Sequence, residues 1–196
     1  MEFGTVVRRR KMVRTFLDRP VDPDALRRIL ERGQRAPSAG YTQGFEFLVL
    51  EGPEQTGRFW EVTSGDQPVL EGVWAAPVLI VPLASKQAYL DRYAEEDKGW
   101  TDRDESRWPT PFWYIDAAFA SMLMLLSAVD EGIGALFFGL FPPTLPAFKA
   151  AFAIPDAWEP IGVIAIGHPA PTDPVRSSAH TRSRKPLSEI VHRGGW

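Results

Sequence analysis

The chain has 196 residues, 22 basic and 25 acidic side chains, a formal net charge of −3 and no cysteine. This length fits one domain with a full hydrophobic core, so we predict a single domain over residues 1–196. The lack of cysteine excludes disulfides, thiolate nucleophiles and cysteine-ligated metal centres, and it suits a reducing compartment. The longest apolar run, Ala117 to Val129, is shorter than the ~20 residues that cross a bilayer. We therefore expect a soluble, cytoplasmic protein without a membrane partner.

The first half of the chain carries signals for a helix and two strands. Asp22 suits the N-cap of a helix and Pro23 its first turn, and the apolar spacing that follows extends to Gly33. Residues 45–50 predict a strand. Residues 77–83 predict a second strand, which is apolar on both faces and therefore central in a sheet. A further helix is predicted over residues 87–96.

The second half contains the longest predicted helix, Phe112 to Glu131. Its inner part is apolar nearly all round, so every side of it should be buried. One small sheet cannot cover all of those side chains, which indicates a second subunit. A strand at 135–139, a helix at 144–152 and a strand at 161–166 follow. The proline-rich tail at 168–196 looks extended and needs a surface to lie on.

Several common site patterns are missing from the sequence. It contains no HExxH, no paired-cysteine zinc pattern, no GxxxxGK[ST] and no GxSxG. Gly132-Ile133-Gly134 lacks the third glycine of a dinucleotide fingerprint and follows a helix rather than a strand. The three histidines all lie in the tail, where a histidine is usually a solvated surface residue. We predict no metal site and, given the net negative charge, no nucleic-acid partner.

Two basic segments lie at opposite ends of this mildly acidic chain. Residues 8–11 are four consecutive basic side chains followed by Arg14, and residues 182–185 hold Arg182, Arg184 and Lys185. Guanidinium groups grip phosphate oxygens bidentately, so two such clusters meeting on one anion indicate a bound phosphate. The alternative for the first cluster is a solvated basic arm.

The segment Pro37-Ser38-Ala39-Gly40 also has two interpretations. It is either a turn after a helix, which such residues favour, or a run of small residues that lets backbone amides approach a flat ligand. Taken alone, neither this segment nor the basic cluster is specific.

Together and in this order, these segments resemble the nitroreductase family of flavin enzymes. Five segments in the family's order carry the resemblance over nearly the whole chain: RRRKMVRTF at 8–16, APSAGYTQGFEFLVL at 36–50, DEGIGALFFGLF at 130–141, IPDAWEPIGVIAIGHP at 154–169 and RSRKPLSEIVHRGGW at 182–196. The resemblance implies an α+β fold with three layers, α/β/α, around a central mixed sheet. It also implies a homodimer with FMN between the subunits, a long buried helix in the dimer interface, and an extended C-terminal tail that packs on the partner subunit.

The resemblance assigns cofactor-binding roles position by position. Arg10, Lys11 and Met12 match positions at the FMN phosphate, and Arg182 and Arg184 match the C-terminal basic residues that complete the phosphate grip. Arg14 matches the position of a cation at the pyrimidine edge of the flavin, where it would stabilise the charge that develops near N1 and O2.

The remaining positions are carried over in the same way. Loop positions that line the flavin and its ribityl chain match Pro37, Ser38, Ala39 and Gln43. The strand end whose backbone N–H faces flavin N5 matches Phe138, Gly139 and Leu140. No side chain is assigned a catalytic role, because the flavin carries the chemistry.

Three positions depart from the family pattern. Met12 stands where a serine commonly contacts the phosphate, Tyr41 replaces the usual asparagine, and Gly44 replaces the usual proline. The phosphate site has therefore lost a hydroxyl and the pocket rim is more aromatic, which bears on substrate range. Trp108, Phe112, Trp113 and Phe137 either add aromatic surface near the pocket or, as we favour, serve core or interface packing.

The best interpretation is an FMN-dependent oxidoreductase. It would transfer hydride from NAD(P)H through FMN to a nitroaromatic, quinone or related small-molecule acceptor, with donor and acceptor using the same flavin face in a ping-pong mechanism. One alternative is a specialised family member that uses a deazaflavin donor or degrades flavin. Another is a non-catalytic flavin sensor or store whose pocket is closed by Tyr41 and the neighbouring aromatic residues.

Overall fold

The computed structural model describes residues 1–64, 71–171 and 181–196. Its helices are α1 (Phe3–Arg9), α2 (Pro23–Gln34), α3 (Gly52–Thr63), α4 (Glu71–Trp74), α5 (Lys86–Tyr93), α6 (Phe112–Asp130), α7 (Leu145–Ala151) and α8 (Leu187–Ile190). Its strands are β1 (Phe45–Glu51), β2 (Val78–Ala84), β3 (Gly134–Phe138), β4 (Glu159–Pro160) and β5 (Val163–Gly167). Short 3₁₀ turns occupy Ala39–Tyr41, Glu105–Arg107 and Pro142–Thr144.

The strands form one sheet in the order β1-β2-β5-β3, and β4 pairs with β2. The pairs between these strands are antiparallel. An isolated parallel bridge joins Met12 to Ala135 of β3, outside the named strands. The described strands thus form an antiparallel sheet, whereas the resemblance implied a mixed one.

Alternation along the central strands explains the layers. In β2 every residue is buried, as the apolar run predicted. Leu79 and Val81 pack with α3 and α7, whereas Val78 and Ile80 face α2 and α6. Strand β5 alternates in the same way. Val163 packs on the side of α3 and α7, and the residue after it packs on the side of α2 and α6. Helices therefore cover both faces of the sheet, and the predicted three-layer α+β fold is confirmed.

Local signals placed α2 correctly. The Asp22 carboxylate accepts a hydrogen bond from the backbone N–H of Asp24 at 3.1 Å, and Pro23 occupies the first turn, where the absence of an N–H costs nothing. Ala25, Leu26 and Ile29 are buried on the side that faces α6. The other predicted elements begin and end within a few residues of those observed.

Helix α6 is not buried on every side within one chain. Trp113, Ala117, Ala120 and Met124 are buried, but Phe119 and Met122 are each 46% exposed. By length and composition alone α6 could cross a membrane, yet half of that stretch is buried inside the fold, as in the core helix of a soluble protein.

The C-terminal tail is described only in part. Residues 172–180 of the predicted extended tail, including His180, lie outside the described residues. From Thr181 onwards every residue is exposed, and one short helical turn, α8, interrupts the segment.

Candidate functional site

The N-terminal basic segment is tied to the start of β3. The Val13 backbone N–H donates to the Ala135 carbonyl oxygen at 3.0 Å, beside the bridge between Met12 and Ala135. The Val13 side chain is buried against the core, and Met12 is partly buried between the two main core clusters. These contacts place Arg10 and Lys11, which precede Met12, at this end of the sheet.

Thr15 and Phe16, which follow in the same segment, are hydrogen-bonded to α4 and to the chain after β5. The Phe16 N–H donates to the Gly72 carbonyl at 3.0 Å, and the Ala170 N–H donates to the Thr15 carbonyl at 2.9 Å. A Cβ on Gly72 would lie 2.7 Å from the Arg14 carbonyl oxygen, so only glycine fits at that position. The backbone around Arg14 is therefore fixed between α4 and the chain that follows β5.

Some arginines of the described residues form ion pairs with carboxylates, and others, including Arg8, Arg9, Arg19, Arg35 and Arg58, form none. Arg10 is half-buried and Lys11 is exposed, and within the described ranges neither forms an ion pair with a carboxylate. Several arginines elsewhere do form such pairs: Arg27, Arg28, Arg32, Arg92, Arg103 and Arg107. Arg14 points Nη1 at the Met12 carbonyl oxygen, 3.2 Å away. The site thus holds cationic donors suited to an external anion.

The loop Ser38–Gln43 follows α2 and has an unusual backbone. Gly40 has φ of 62°, and two non-glycine residues, Tyr41 and Gln43, have φ of 53° and 52°. Such left-handed conformations are uncommon outside glycine and persist where neighbouring contacts enforce them. Inside the loop, the Ser38 Oγ accepts from the Gln43 N–H at 2.9 Å and the Ser38 carbonyl accepts from the Tyr41 N–H at 2.9 Å.

Helices α5 and α6 hold this loop from outside. The Ala39 N–H donates to Oδ2 of Asp116 at 2.8 Å, and the Tyr89 hydroxyl donates to the same oxygen at 2.7 Å. Asp116 is 2% exposed. Burial, followed by the hydrogen bond to the Asp116 carboxylate, raises the pKa of Tyr89 well above its ordinary value, so it remains a donor. Arg92 Nε donates to the Gly40 carbonyl at 3.0 Å.

The third part of the site lies at the far end of β3. Phe138 stacks on Trp60 with ring centroids 5.7 Å apart, and Trp60 stacks on Trp74 at 5.9 Å. Gly139 is exposed, and no described atom outside its chain neighbours lies within 4 Å of the position that a Cβ would take there, so this backbone is open to solvent. A strand rises about 3.3 Å per residue, which puts Gly139 about 13 Å from Ala135. The basic segment and the Phe138–Leu140 strand end thus flank β3 at opposite ends.

The C-terminal arginines are not joined to the N-terminal cluster within the part of this chain that the structure describes. Arg182 and Arg184 lie on the exposed segment that begins at Thr181. Their convergence with Arg10 and Lys11 on one phosphate stays a prediction.

Aromatic residues near the loop mainly pack on one another, as favoured from the sequence. The rings around Trp108 include Tyr89 at 5.8 Å, Tyr93 at 4.6 Å and Trp113 at 6.2 Å between centroids. Tyr41, by contrast, is 77% exposed. Among the described residues no group of three His, Asp or Glu side chains is arranged to hold a metal ion.

Sequence reasoning assigned no role to Asp116 or Tyr89. The available signal was a carboxylate in the second turn of an otherwise apolar helix, at a position where a charge is costly unless it is bonded. Its partners, Ala39 and Tyr89, are distant in sequence, so no local pattern identifies them.

Comparison with known proteins identifies the family. The sequence profile described as the nitroreductase family matches residues 7–73 and 70–168. The chain belongs to the nitroreductase family. A family relative from Methanothermobacter thermautotrophicus, provisionally named NADH dehydrogenase/NAD(P)H nitroreductase, is 27% identical over 172 residues, which cover 87% of this chain and 78% of that protein.

Solved structures of family proteins show the same fold. The nitroreductase family protein of Streptococcus pneumoniae TIGR4 superposes with a TM-score of 0.77 at 20% identity, covering 98% of this chain and 100% of that one. A provisionally named nitroreductase from Desulfovibrio desulfuricans, solved in complex with FMN, has a TM-score of 0.71 at 25% identity and covers 100% of this chain and 98% of that one. These findings confirm the predicted family, its α+β fold and an oxidoreductase activity.

Proposed function

We propose that this chain is an FMN-dependent oxidoreductase that uses NAD(P)H to reduce a nitroaromatic, quinone or related acceptor. The observation that carries the proposal is the basic segment fixed at the start of β3, with Arg10 and Lys11 unpaired among the described residues. FMN is supported as the cofactor by the family and by the FMN complex of the Desulfovibrio desulfuricans relative. NAD(P)H is supported as the reductant by the name of the Methanothermobacter relative.

The donor set fits a phosphorylated flavin. Arg10 and Lys11 provide charge-assisted donors for a terminal phosphate, and Arg182 and Arg184 complete the grip when the tail reaches the site. Met12 adds no hydroxyl, so the phosphate site of this chain depends on cations more than on neutral donors. The open space beside Gly139 suits a flat ring.

FMN, when bound, supplies the hydride chemistry between the donor and the acceptor. Arg14 is assigned to the pyrimidine edge, where its positive charge stabilises developing negative charge. Pro37, Ser38, Ala39 and Gln43 position the ring and ribityl chain, and the backbone of Phe138, Gly139 and Leu140 orients the reactive edge. The residues of this chain thus bind, orient and polarise, and none of them needs to act as an acid or base.

The functional unit in this proposal is a homodimer. One side of α6 presents apolar residues to solvent in a single chain: Ala118, Phe119 and Met122. The tail likewise exposes Leu187, Ile190 and Val191 around α8. Contiguous exposed apolar surface of this kind marks an interaction site. A second subunit that packs on α6 and against residues 168–196 would bury both exposed apolar surfaces. It would also place the flavin site at the subunit interface.

The other interpretations receive less support. A flavin sensor closed by Tyr41 requires that ring to cover the pocket, whereas Tyr41 is 77% exposed in the single chain.

The absence of cysteine and the half-buried packing of α6 fit a cytoplasmic enzyme.

Steady-state kinetics test the proposed activity. Initial rates are measured with NADH, NADPH and a reduced deazaflavin as donors, each against a nitroaromatic and a quinone. Parallel double-reciprocal lines with a nicotinamide donor are expected for a ping-pong mechanism. Turnover with the deazaflavin alone would replace this proposal with the specialised-donor alternative, and no turnover with any donor would contradict it.

A further inference from the structure

One buried carboxylate outside the assigned cofactor site is hydrogen-bonded to a loop within it. Asp116 lies in the second turn of α6 and is 2% exposed. Its Oδ2 accepts from the Ala39 N–H at 2.8 Å and from the Tyr89 hydroxyl at 2.7 Å. Burying a charge is costly unless donors compensate for lost water, so these two bonds also hold their donors firmly in place.

The loop requires this kind of external support. Tyr41 and Gln43 both adopt left-handed backbone angles that non-glycine residues rarely take. A single α-helical continuation or an extended exit from α2 would relax both residues, so the observed path depends on contacts that exclude those alternatives. The Asp116 bond to Ala39 falls immediately before the strained residues.

Helix α5 adds a second restraint to the same loop. Arg92 Nε donates to the Gly40 carbonyl at 3.0 Å, and the Arg92 guanidinium is itself held by two bonds to Asp97, at 2.6 and 2.9 Å. A Cβ at Gly40 would lie 2.7 Å from the Tyr93 ring. The loop is therefore enclosed by α5 and α6, and Asp116 is the fully buried polar group among its anchors.

We propose that Asp116, through Ala39 and with Tyr89, is a positioning residue that sets the Pro37–Gln43 loop in the conformation that receives the flavin. The inference rests on the proposed function for its flavin part only. Both hydrogen bonds join atoms of the protein itself, so the anchor does not need a flavin atom to form it. Removing the carboxylate should release the loop, reduce flavin affinity and change the environment of the bound ring.

Hydrogen exchange on the full-length apoprotein tests the anchor itself. Asp116→Leu removes the acceptor and keeps the branched four-atom shape with larger methyl groups. Asp116→Asn is nearly isosteric and keeps an acceptor oxygen without the charge. Tyr89→Phe removes one donor and leaves the Ala39 bond to Asp116 available. Ser121→Ala is the matched control, since Ser121 is also buried on α6 but bonds within its own helix, to the Ala117 carbonyl at 2.8 Å. Amide exchange in peptides covering residues 36–44 should accelerate about tenfold or more in Asp116→Leu, less in Asp116→Asn, and not in Ser121→Ala.

Flavin titrations of the same variants test the positioning role. At a temperature where each variant is folded, the Kd for FMN should rise about tenfold in Asp116→Leu, with partial recovery in Asp116→Asn. The visible circular dichroism of the bound flavin should change in Asp116→Leu and stay unchanged in Ser121→Ala. Tyr89→Phe keeps the test decisive if Asp116→Leu does not fold, since it should raise exchange in 36–44 and alter the flavin signal in the same direction.

Two results would overturn the inference. One is wild-type exchange across 36–44 in both Asp116→Asn and Tyr89→Phe. The other is a released loop with an unchanged FMN Kd and an unchanged flavin spectrum. A wild-type protein that binds no FMN would instead contradict the proposed function, and the exchange measurement would still report on the anchor.

Discussion

At the residue scale, the arginines that join α2 to α6 differ in charge pairing from Arg10 and Lys11, which are assigned to the phosphate. Arg28 and Arg32 are committed to Glu131 at 2.8 and 3.0 Å, at the junction of α2 and α6. Arg10 and Lys11 have no such carboxylate partner among the described residues. Arg28 and Arg32 stabilise the packing of α2 on α6, whereas Arg10 and Lys11 are available to an anion.

The C-terminal arginines provide a direct test of the phosphate assignment. The double change Arg182→Ala and Arg184→Ala should weaken FMN binding at least about tenfold, because each charge-assisted bond contributes roughly 1.5–3 kcal/mol. Titration of apoprotein with FMN, followed by flavin absorbance, gives the Kd. Arg193→Ala, an exposed arginine of the same tail, is the control and should leave the Kd unchanged. Equal affinity in the double variant would show that the tail does not hold the phosphate.

Asp97 gives the protein a pH-dependent restraint next to the site loop. Hydrogen bonding from Arg92 lowers the pKa of Asp97 to about 2. A carboxyl whose folded pKa is depressed contributes stability above its unfolded pKa of about 3.9 and loses it as the pH falls through about 2. NMR titration of the carboxyl should show this pKa. Urea unfolding of Asp97→Asn should show a smaller acid-dependent loss between about pH 4 and pH 2 than the wild type and Glu96→Gln. Part of the loss should remain, because the pKa values of Asp102, Asp104, Asp130 and Glu131 are also lowered. Identical profiles for all three proteins would refute the assignment.

The residue scale also shows where sequence reasoning is strong. The cap at Asp22 was predictable because it depends on neighbours in the chain. The Asp116 anchor was not, since its partners lie 77 and 27 residues away. Hydrogen bonds between residues that are far apart in sequence can be identified only once the fold is known.

At the element scale, hydrophobic pattern predicted the sheet better than the shorter helices. Strands β1 and β2 were found because apolar runs are typical of buried strands. Helices α1 and α3 were not predicted. Helix α3 contains Gly52 and Gly57, which are weak helix formers, and it is stabilised by burying Phe59 and Trp60 against the sheet.

Two glycines in neighbouring helices should respond oppositely to alanine. Gly72→Ala places a Cβ 2.7 Å from the Arg14 carbonyl oxygen and should destabilise the fold by about 1–3 kcal/mol while displacing the basic segment. Gly57→Ala has open space around its Cβ within the described structure and should stabilise α3 by up to about 1 kcal/mol. Urea unfolding measures both, and FMN titration should detect weaker binding in Gly72→Ala alone. If Gly72→Ala is destabilised but still binds FMN tightly, the contact between Gly72 and the Arg14 carbonyl does not affect the flavin site.

At the scale of the whole molecule, the single chain leaves its assigned cofactor residues on separate parts of the fold. The N-terminal segment, the Ser38–Gln43 loop and the β3 end are fixed by the core, whereas Arg182 and Arg184 lie on an exposed tail. The sequence predicted a partner subunit from the all-round apolar character of α6. The structure supports that reasoning with an exposed apolar side on the helix, where Phe119 and Met122 lie.

A lysine on that side of α6 should break the proposed dimer. Met122→Lys places a charge in the proposed interface, where an unpaired charge is strongly unfavourable. Light scattering after size-exclusion chromatography should show a monomer that has lost flavin. Glu61→Lys puts the same charge on the exposed side of α3 and should remain dimeric and flavin-bound. A Met122→Lys protein that remains dimeric with full flavin content would show that this side of α6 is not the subunit interface.

The most direct test of the central claim is an absorbance spectrum of the purified protein, recorded anaerobically during titration with NADH and then NADPH. We expect a yellow protein with one FMN per chain, weaker binding of riboflavin and FAD, and loss of the visible flavin absorbance as one of the nicotinamides is added. A colourless protein that cannot be reconstituted with FMN, or a bound flavin that neither nicotinamide bleaches, would contradict it.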